Sequence, residues 1–292
     1  MKLCFDATRF GGGLDGAIEL AAERGLTAIE YCFDEFKVAA GKTAHEVKGQ
    51  EKTFLERVSR LSKKKDVEIA CINLDYPHEP GDKASSKKFV GMLSKLLEVA
   101  TILHCPRIGF YLSPGADDTW KQVFEEEYAQ LVPRFEEREV RLLLRVSTPL
   151  KYRGVSLKRW RGMEPQDWRD LISGCPGLSL SFSPGDCLWL GIDYLQILAA
   201  LTPVIDHIEA NDVEIHRSLL KDSGMFGPLW WRYRQIGKGQ VDWGQFIDTL
   251  KLYDYKGTFS IHLDDEFVYP DDVSVSDALD ECMQKLRPYF RD

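Results

Sequence analysis

The order of apolar and amphipathic segments constrains the fold of this 292-residue chain more than any single motif does. Eight short apolar runs alternate with stretches whose apolar residues recur at helical spacing. The predicted strands are residues 2–6, 27–32, 67–75, 107–112, 140–146, 178–182, 204–210 and 258–263. The predicted helices are residues 15–24, 51–65, 85–103, 120–138, a helix that begins near Pro165, 193–201, 243–253 and 276–290. This strict alternation predicts an α/β protein whose parallel sheet closes as a single (β/α)8 TIM barrel.

We expect one domain over residues 1–292, because no Pro/Gly/Ser-rich linker and no shift in composition divides the chain. An open, doubly wound sheet is the alternative, but that fold usually carries a G-x-G-x-x-G loop after its first strand. The three glycines at 11–13 do not match this pattern. In a barrel, the site lies on the loops that follow the carboxyl ends of the strands. Three of these loops are long, at residues 32–50, 146–164 and 211–242, and are expected to be lids or binding elements.

The charge and cysteine content limit the function classes. The chain has 38 Lys plus Arg against 46 Asp plus Glu, a net charge of −8, which argues against nucleic acid as a partner. The amino terminus lacks a signal-peptide pattern, and no apolar run reaches the length of a membrane span, so we expect no membrane partner. The 7 cysteines are scattered without a C-x-x-C pair, which predicts reduced thiols and a cytoplasmic location.

Four segments in the last part of the chain carry a family resemblance. They are FSPGDCLWLGID (182–193), IDHIEAND (205–212), IGKGQVDW (236–243) and TFSIHLDDE (258–266). Together they resemble the xylose-isomerase-like barrel superfamily of sugar phosphate isomerases and epimerases, with the turn IGKGQVDW as the strongest match. The resemblance implies carbohydrate metabolism, and a small sugar or sugar phosphate as the partner.

The resemblance also implies a divalent metal (Mn²⁺, Mg²⁺, Co²⁺ or Zn²⁺) held by Glu, Asp, His and Glu at the ends of strands five to eight. In that family the metal polarises a carbonyl and its adjacent hydroxyl while the glutamates move a proton. This chain differs at all four positions, where it has Arg145, Ser183, Glu209 and His262.

The exchange of residues leaves two structural expectations open. A guanidinium has no lone pair for a metal and repels a divalent cation, so Arg145 cannot be a ligand. Glu209, His262 and Asp186 could still form a three-ligand metal site. In the other arrangement, Arg145 and Glu209 form a buried ion pair in the volume of the absent metal.

Further residues are candidates for substrate binding. Arg153 belongs to a basic loop that would either attract a phosphate or simply be solvated. Trp189 is expected above the barrel mouth, and His207 is expected as a hydrogen-bonded neighbour on strand seven. The complete set of substrate-binding candidates is Ser183, Asp186, Trp189, Arg153, His207 and Lys238.

Other polar and aromatic residues have two possible roles each. Asp6, Asn73, Asp75 and His78 end strands one and three and could face the same cavity or be satisfied structurally. The aromatic segment GPLWWRYRQ (227–235) would serve as a sugar-stacking lid or pack against a second copy of the chain, which leaves a homodimer open.

The predicted function is an isomerase or epimerase that acts on a small polyol, sugar or sugar phosphate. Glu209 or His262 would transfer a proton next to a carbonyl, and Arg145 would stabilise the oxyanion in place of the metal. The alternative is a catalytically inactive barrel that binds a sugar or a small anion. A DNA-repair endonuclease of the same barrel type fits less well, because it needs several metals and many ligands, and the chain has 6 histidines and no general basic face.

Overall fold

Eight parallel strands form a closed barrel in the computed structural model, which describes residues 1–8, 10, 12–34, 51–115, 119–149, 162–265 and 272–290. The order around the barrel is β1-β10-β7-β6-β5-β4-β3-β2. These strands are β1 (Lys2–Asp6), β2 (Ala28–Asp34), β3 (Glu68–His78), β4 (Arg107–Leu112), β5 (Arg141–Arg145), β6 (Ser179–Phe182), β7 (Ile205–Ala210) and β10 (Thr258–Ile261). The predicted (β/α)8 barrel is therefore confirmed.

Helices follow the strands along the chain, as the apolar periodicity predicts. They are α1 (Gly13–Glu23), α2 (Glu51–Lys65), α3 (Lys83–Leu103), α4 (Trp120–Glu136), α5 (Pro165–Gly174), α6 (Pro184–Trp189), α7 (Tyr194–Leu201), α8 (Arg217–Ser223), α9 (Trp243–Leu252) and α10 (Asp272–Leu286). None of the described helices combines the length and the hydropathy that a bilayer crossing requires.

Local signals explain where several helices begin and end. Asp82 caps α3 by accepting a hydrogen bond from the Ser85 amide at 2.6 Å. Pro165 occupies the first turn of α5, where its missing N–H costs nothing. Gly25 follows α1 with a φ of +70°, a conformation that glycine adopts without strain.

The segment 211–242 was expected to be a long loop, and the structure instead builds a small hairpin there. Strands β8 (Asp212–Ile215) and β9 (Trp231–Arg234) pair antiparallel outside the barrel, and α8 lies between them. The sequence did not reveal this hairpin because each strand has only four residues. The other two long loops lie largely outside the described residues.

A hydrophobic cluster outside the main core fixes this hairpin to the barrel. The Trp189 ring at the end of α6 stacks on the Trp231 ring, with centroids 4.2 Å apart. Trp230, Tyr233 and Val213 complete the cluster and are buried. The aromatic residues of segment 227–235 therefore pack largely against Trp189.

All 7 cysteines are buried and unbridged, as their scattered positions predicted. Burial raises the pKa of several thiols, including that of Cys105 to about 12. These side chains pack as small apolar groups.

One buried carboxylate organises the IGKGQVDW turn. Asp212 Oδ2 accepts hydrogen bonds from the Gly237 amide at 2.9 Å, the Gly239 amide at 3.2 Å and the Trp243 indole at 3.0 Å. Its Oδ1 accepts from the Val241 amide at 3.0 Å and from the Val213 amide at 2.9 Å. Asp212 is fully buried, so these donors have no alternative partner in water.

We expect Asp212→Ala to lower the free energy of unfolding by about 3 kcal/mol or more, because several buried donors lose their acceptor at once. Urea denaturation of the two proteins measures this difference. Asp222→Asn, on the exposed side of α8, is the control and should change stability by less than about 0.5 kcal/mol. Equal effects of the two substitutions would contradict the assigned role of Asp212.

Candidate active site

The barrel interior is unusually polar near the carboxyl ends of its strands. TIM-barrel interiors are generally filled by branched apolar side chains. Here Arg145 ends β5, Glu209 lies in β7, Glu30 lies in β2 and His262 directly follows β10, and all four are buried. Burial of this many ionisable groups is costly unless they pair, and their pairing defines the site.

Arg145 and Glu209 form a two-pronged ion pair inside the barrel. Arg145 Nε donates to Glu209 Oε1 at 2.7 Å, and Arg145 Nη2 donates to Glu209 Oε2 at 2.6 Å. The guanidinium carbon also lies 4.3 Å from the centre of the Tyr111 ring. The expected buried ion pair is therefore present.

A glycine on the neighbouring strand makes room for this pair. A Cβ atom at Gly109 of β4 would lie 3.1 Å from Arg145 Cδ and only 2.0 Å from Asn73 Oδ1. Any larger residue at this position would displace one of the two polar side chains.

Two serines complete the environment of Glu209. Ser181 Oγ donates to Oε1 and Ser147 Oγ donates to Oε2, each at 2.7 Å. Burial alone would raise the pKa of Glu209, but Arg145 outweighs it and lowers the pKa to about 2. Since each carboxylate oxygen already accepts two hydrogen bonds, Glu209 is a weak base and is not free to hold a metal.

Ser183 and Asp186 belong to a separate hydrogen-bond network. Ser183 Oγ donates to Asp186 Oδ2 at 2.5 Å and lies 2.7 Å from Asn211 Oδ1. Asp186 Oδ1 accepts from Thr148 Oγ1 at 2.6 Å and from the Tyr233 hydroxyl at 2.6 Å. Glu209, His262 and Asp186 are not among the described groups whose ligand atoms lie within 4.8 Å of one another, and each of them has its own set of partners.

Glu30 joins two histidines at the base of the site. Its Oε2 accepts from His207 Nε2 at 2.8 Å and from His262 Nε2 at 3.0 Å, and its Oε1 accepts from the Asn73 amide. His207 Nδ1 contacts the Thr258 hydroxyl. His207 is thus a hydrogen-bonded neighbour on β7, the position expected for it.

Electrostatics hold Glu30 ionised despite its burial. Burial would raise its pKa, but His262 and His207 outweigh that effect and lower it well below the usual range. In the same way burial would lower the pKa of His262, while Glu30, Asp264 and Asp6 raise it well above its usual range.

The second ring nitrogen of His262, Nδ1, is directed at two carboxylates. His262 Nδ1 lies 3.4 Å from Asp264 Oδ2 and 4.0 Å from Asp6 Oδ2. Nδ1 is buried and makes no well-formed hydrogen bond with the described residues. Asp6 is oriented through its other oxygen, which accepts from the Thr8 amide at 2.9 Å. Burial raises the pKa of Asp6.

The central role of Glu30 was not predicted from the sequence. The available signal was a carboxylate in the middle of the otherwise apolar run AIEYCF. Asp6 and Asn73 were candidates and do lie at this cluster. His78 instead faces the helices, because its Nε2 contacts Glu127 of α4 at 2.6 Å and its ring stacks on Phe89 of α3.

Three candidates remain, and the structure describes two of them. Lys238 Nζ contacts Gln235 Oε1 at 2.7 Å and Glu281 Oε2 of α10 at 2.9 Å, so it ties the IGKGQVDW turn to α10. Arg153 lies outside the described residues. Trp189 donates to Asp186 Oδ1 at 3.2 Å but otherwise packs against the hairpin.

Two positions near the strand ends differ in whether their residues suit a metal ion. The position at which the resemblance implies a metal does not suit a divalent cation, because Arg145 stands at one of its four ligand positions and Glu209 is already paired with Arg145. The neighbouring group of Asp6, Glu30 and His262 does suit one, since these residues offer ligand atoms within 4.8 Å of one another.

Comparison with known proteins identifies the family. Residues 18–284 match the model of the xylose isomerase-like TIM barrel, and the chain belongs to that family. A curated relative is the uncharacterized protein YfiH of Bacillus subtilis (strain 168), 27% identical over 106 residues. That match covers 33% of this chain and 34% of the relative, so it spans about a third of the relative's length.

Solved structures share the fold at low identity. The IOLI protein with a binding zinc atom has a TM-score of 0.74 at 14% identity, with 100% of each chain covered. A xylose isomerase domain protein from Planctomyces limnophilus has a TM-score of 0.72 at 13% identity, covering 99% of this chain and 96% of the other. D-allulose 3-epimerase from Methylomonas sp. has a TM-score of 0.71 at 13% identity, covering 99% and 98%. These likenesses concern the fold.

We expect Glu209→Gln and Arg145→Met each to lower the free energy of unfolding by about 3–5 kcal/mol, because each leaves a buried polar group without its partner. The double substitution should cost clearly less than the sum of the two. Chemical denaturation of the four proteins gives the coupling energy directly. Additive effects would show that the pair contributes no mutual stabilisation.

Proposed function

We propose that this protein is an isomerase or epimerase that acts on a small polyol, sugar or sugar phosphate. The observation that carries the proposal is the combination of one fixed cation with a separate, buried carboxylate–imidazole cluster inside a family barrel. Arg145 is the cation, and Asp6, Glu30, His262 and Asp264 form the cluster. These are the two elements that proton transfer beside a carbonyl requires.

The reaction has two proton steps. A base removes the proton from the carbon next to the substrate carbonyl, and the electron pair moves onto the carbonyl oxygen as an enediolate. Return of a proton to the opposite face of the same carbon gives an epimer. Return of a proton to the former carbonyl carbon, while the proton of the adjacent hydroxyl passes to the enediolate oxygen, gives an isomer. Neither outcome needs an oxidant or a reductant.

Arg145 is suited to stabilise the developing oxyanion. Its guanidinium is permanently charged, and Glu209 holds Nε and Nη2, so its position is fixed before substrate arrives. Such preorganised charge is worth more in a buried site than in water. In this proposal Glu209 positions Arg145 and is not the proton-transfer group.

In this proposal the proton is transferred by His262 and the carboxylates around it. His262 is oriented by Glu30, and its Nδ1 faces Asp6 and Asp264. Buried imidazole and carboxylate groups in contact with one another can take up and return a proton. A divalent cation bound in this cluster would add polarisation of the substrate's carbonyl and hydroxyl oxygens.

The remaining candidates would bind the rest of the substrate. The basic loop that contains Arg153 would favour a phosphate or carboxylate group, since arginine makes two hydrogen bonds to such groups. Ser183, Asp186 and Trp189 are joined to one another by hydrogen bonds and would contact the substrate as one group. The structures of a D-allulose 3-epimerase and of a 3-keto-D-glucoside 4-epimerase share this fold and support a sugar-like substrate class.

We expect the protein to exchange a substrate C–H proton with solvent. Aldoses, ketoses and their phosphates are incubated in deuterated water, with and without Mn²⁺, and ¹H NMR follows the proton next to the carbonyl. At least one substrate should lose this signal. His262→Asn should abolish the exchange, while the matched surface substitution His216→Asn should leave it unchanged, since His216 lies outside the site.

Arg145→Lys provides a second variant that keeps the buried charge but loses the two-pronged geometry. The exchange rate should fall by about 10²–10³-fold if the guanidinium stabilises the oxyanion. Thermal unfolding checks that each variant is folded. No exchange with any substrate would overturn the proposal, and ligand-dependent thermal shifts without exchange would favour a sugar-binding barrel without catalysis.

A further inference from the structure

A histidine on the helix side of β3 lies between a serine and a glutamate. His78 ends β3 and is fully buried, and its ring stacks on the Phe89 ring of α3 with centroids 4.2 Å apart. Its Nδ1 lies 3.0 Å from Ser85 Oγ in the first turn of α3, and its Nε2 lies 2.6 Å from Glu127 Oε2 on α4. Three elements of the fold therefore bring a hydroxyl, an imidazole and a carboxylate into one hydrogen-bonded series.

The carboxylate at one end of this series fixes the tautomer of the imidazole. Burial would raise the pKa of Glu127, but hydrogen bonds from His78 and Ser86 outweigh that effect and lower the pKa. An ionised carboxylate only accepts hydrogen bonds, so His78 Nε2 carries a proton and donates it to Glu127. The neutral imidazole then has its lone pair on Nδ1, which faces Ser85 and is able to accept the hydroxyl proton.

The other contacts of Ser85 direct its proton towards this lone pair. The Glu79 amide donates to Ser85 Oγ at 3.1 Å, and the Tyr76 hydroxyl lies 3.0 Å from the same oxygen. A serine hydroxyl has one proton and two lone pairs. When Glu79 and Tyr76 donate to the two lone pairs, the proton points to His78 Nδ1. Loss of that proton gives the oxygen a third lone pair for attack, while the same two donors stabilise its negative charge.

The start of α3 adds donors for a developing oxyanion. Side chains of a helix are tilted towards its N-terminus, and Ser85 Oγ accepts from the amide of Glu79, which precedes the helix. Asp82 Oδ1 accepts from the Ser85 amide at 2.6 Å. The amides of Lys83 and Ala84, the first two residues of α3, have no acceptor within the helix. These two amides can therefore donate to an oxyanion that forms beside Ser85.

Ser85 is the member of the series that a substrate can reach. His78 is fully buried, whereas Ser85 is half-buried and lies next to the exposed residues Lys83 and Ala84. The substrate therefore meets the hydroxyl first, and the imidazole acts from behind it.

We propose that Ser85, His78 and Glu127 form a serine acyl-transfer site that hydrolyses small carboxylic esters. Ser85 Oγ attacks the carbonyl carbon of the ester while its proton passes to His78 Nδ1. The tetrahedral intermediate collapses, the C–O bond to the alcohol breaks, and His78 returns the proton to the leaving alkoxide. Water then attacks the acyl-serine with His78 as the base, which releases the carboxylic acid and restores Ser85.

The ring nitrogens of His78 serve in the opposite order to those of the serine proteases, in which Nε2 faces the serine and Nδ1 faces the carboxylate. The roles depend on geometry and not on which nitrogen is used. Here Glu127 still holds the proton-bearing nitrogen, and the nitrogen with the lone pair still faces the hydroxyl.

The reaction is tested on the intact protein without any sugar, so the result does not depend on the proposed isomerase activity. The protein is incubated with diisopropyl fluorophosphate, and mass spectrometry of its peptides locates the modified residue. We expect a single label, on Ser85. With p-nitrophenyl acetate, the protein should release p-nitrophenolate faster than the same concentration of Ser85→Ala protein.

Substitutions separate the acyl-transfer site from a network that only stabilises the fold. Ser85→Ala should abolish the labelling. Glu127→Gln removes the charge that fixes the tautomer of His78, and should lower the rates of labelling and of ester hydrolysis by about 100-fold or more. Ser94→Ala is the matched control and should leave both rates unchanged, since Ser94 lies on the same helix but contacts Arg134. Thermal unfolding checks that each variant is folded.

Three results would overturn the proposal. They are no labelling of the folded protein, labelling of other residues to the same extent as Ser85, and an unchanged labelling rate in folded Glu127→Gln protein. A purely structural network would give one of these results, because the loss of Glu127 would then lower stability without any reaction at Ser85.

Discussion

The buried pair of Arg145 and Glu209 is the interaction on which the rest of the barrel interior depends. A guanidinium inside a barrel is tolerable only if a carboxylate meets it in good geometry and the remaining lone pairs are satisfied. Glu209 provides that geometry, and Ser147 and Ser181 provide the further donors. Because the two charges of this pair cancel, the charge of Glu30 in the neighbouring cluster must be balanced by other contacts.

The second cluster is held together by a different rule. Glu30 accepts hydrogen bonds from two imidazoles and an amide, so its charge is distributed over fixed donors. The same contacts turn His262 so that its Nδ1 faces Asp6 and Asp264. Glu30 thereby determines the direction in which the Nδ1 atom of His262 points. The proton transfer proposed here follows from this orientation.

Much of this arrangement could be predicted from residue order. Apolar runs in alternation with helical periodicity predict a closed parallel barrel, and motif comparison places Arg145, Ser183, Glu209 and His262 at strand ends. Opposite charges at Arg145 and Glu209 also predict their pairing, since a barrel brings alternate strands within reach. The role of Glu30 was missed because a single acidic residue in a strand can serve many different roles. The hairpin of β8 and β9 was missed because its strands are too short to show periodicity.

The sequence by itself determined the barrel, the family and the loss of the usual ligand types, because these depend on residue type and spacing along the chain. Only the tertiary structure decided which charges meet. Asp6 and Glu30 are separated from His262 by more than two hundred residues, and they meet it only because β1, the first strand, closes against β10 and lies next to β2. Distances of a few ångströms between such distant residues decide whether a group is a base, a ligand or a structural partner, and residue spacing carries no record of them.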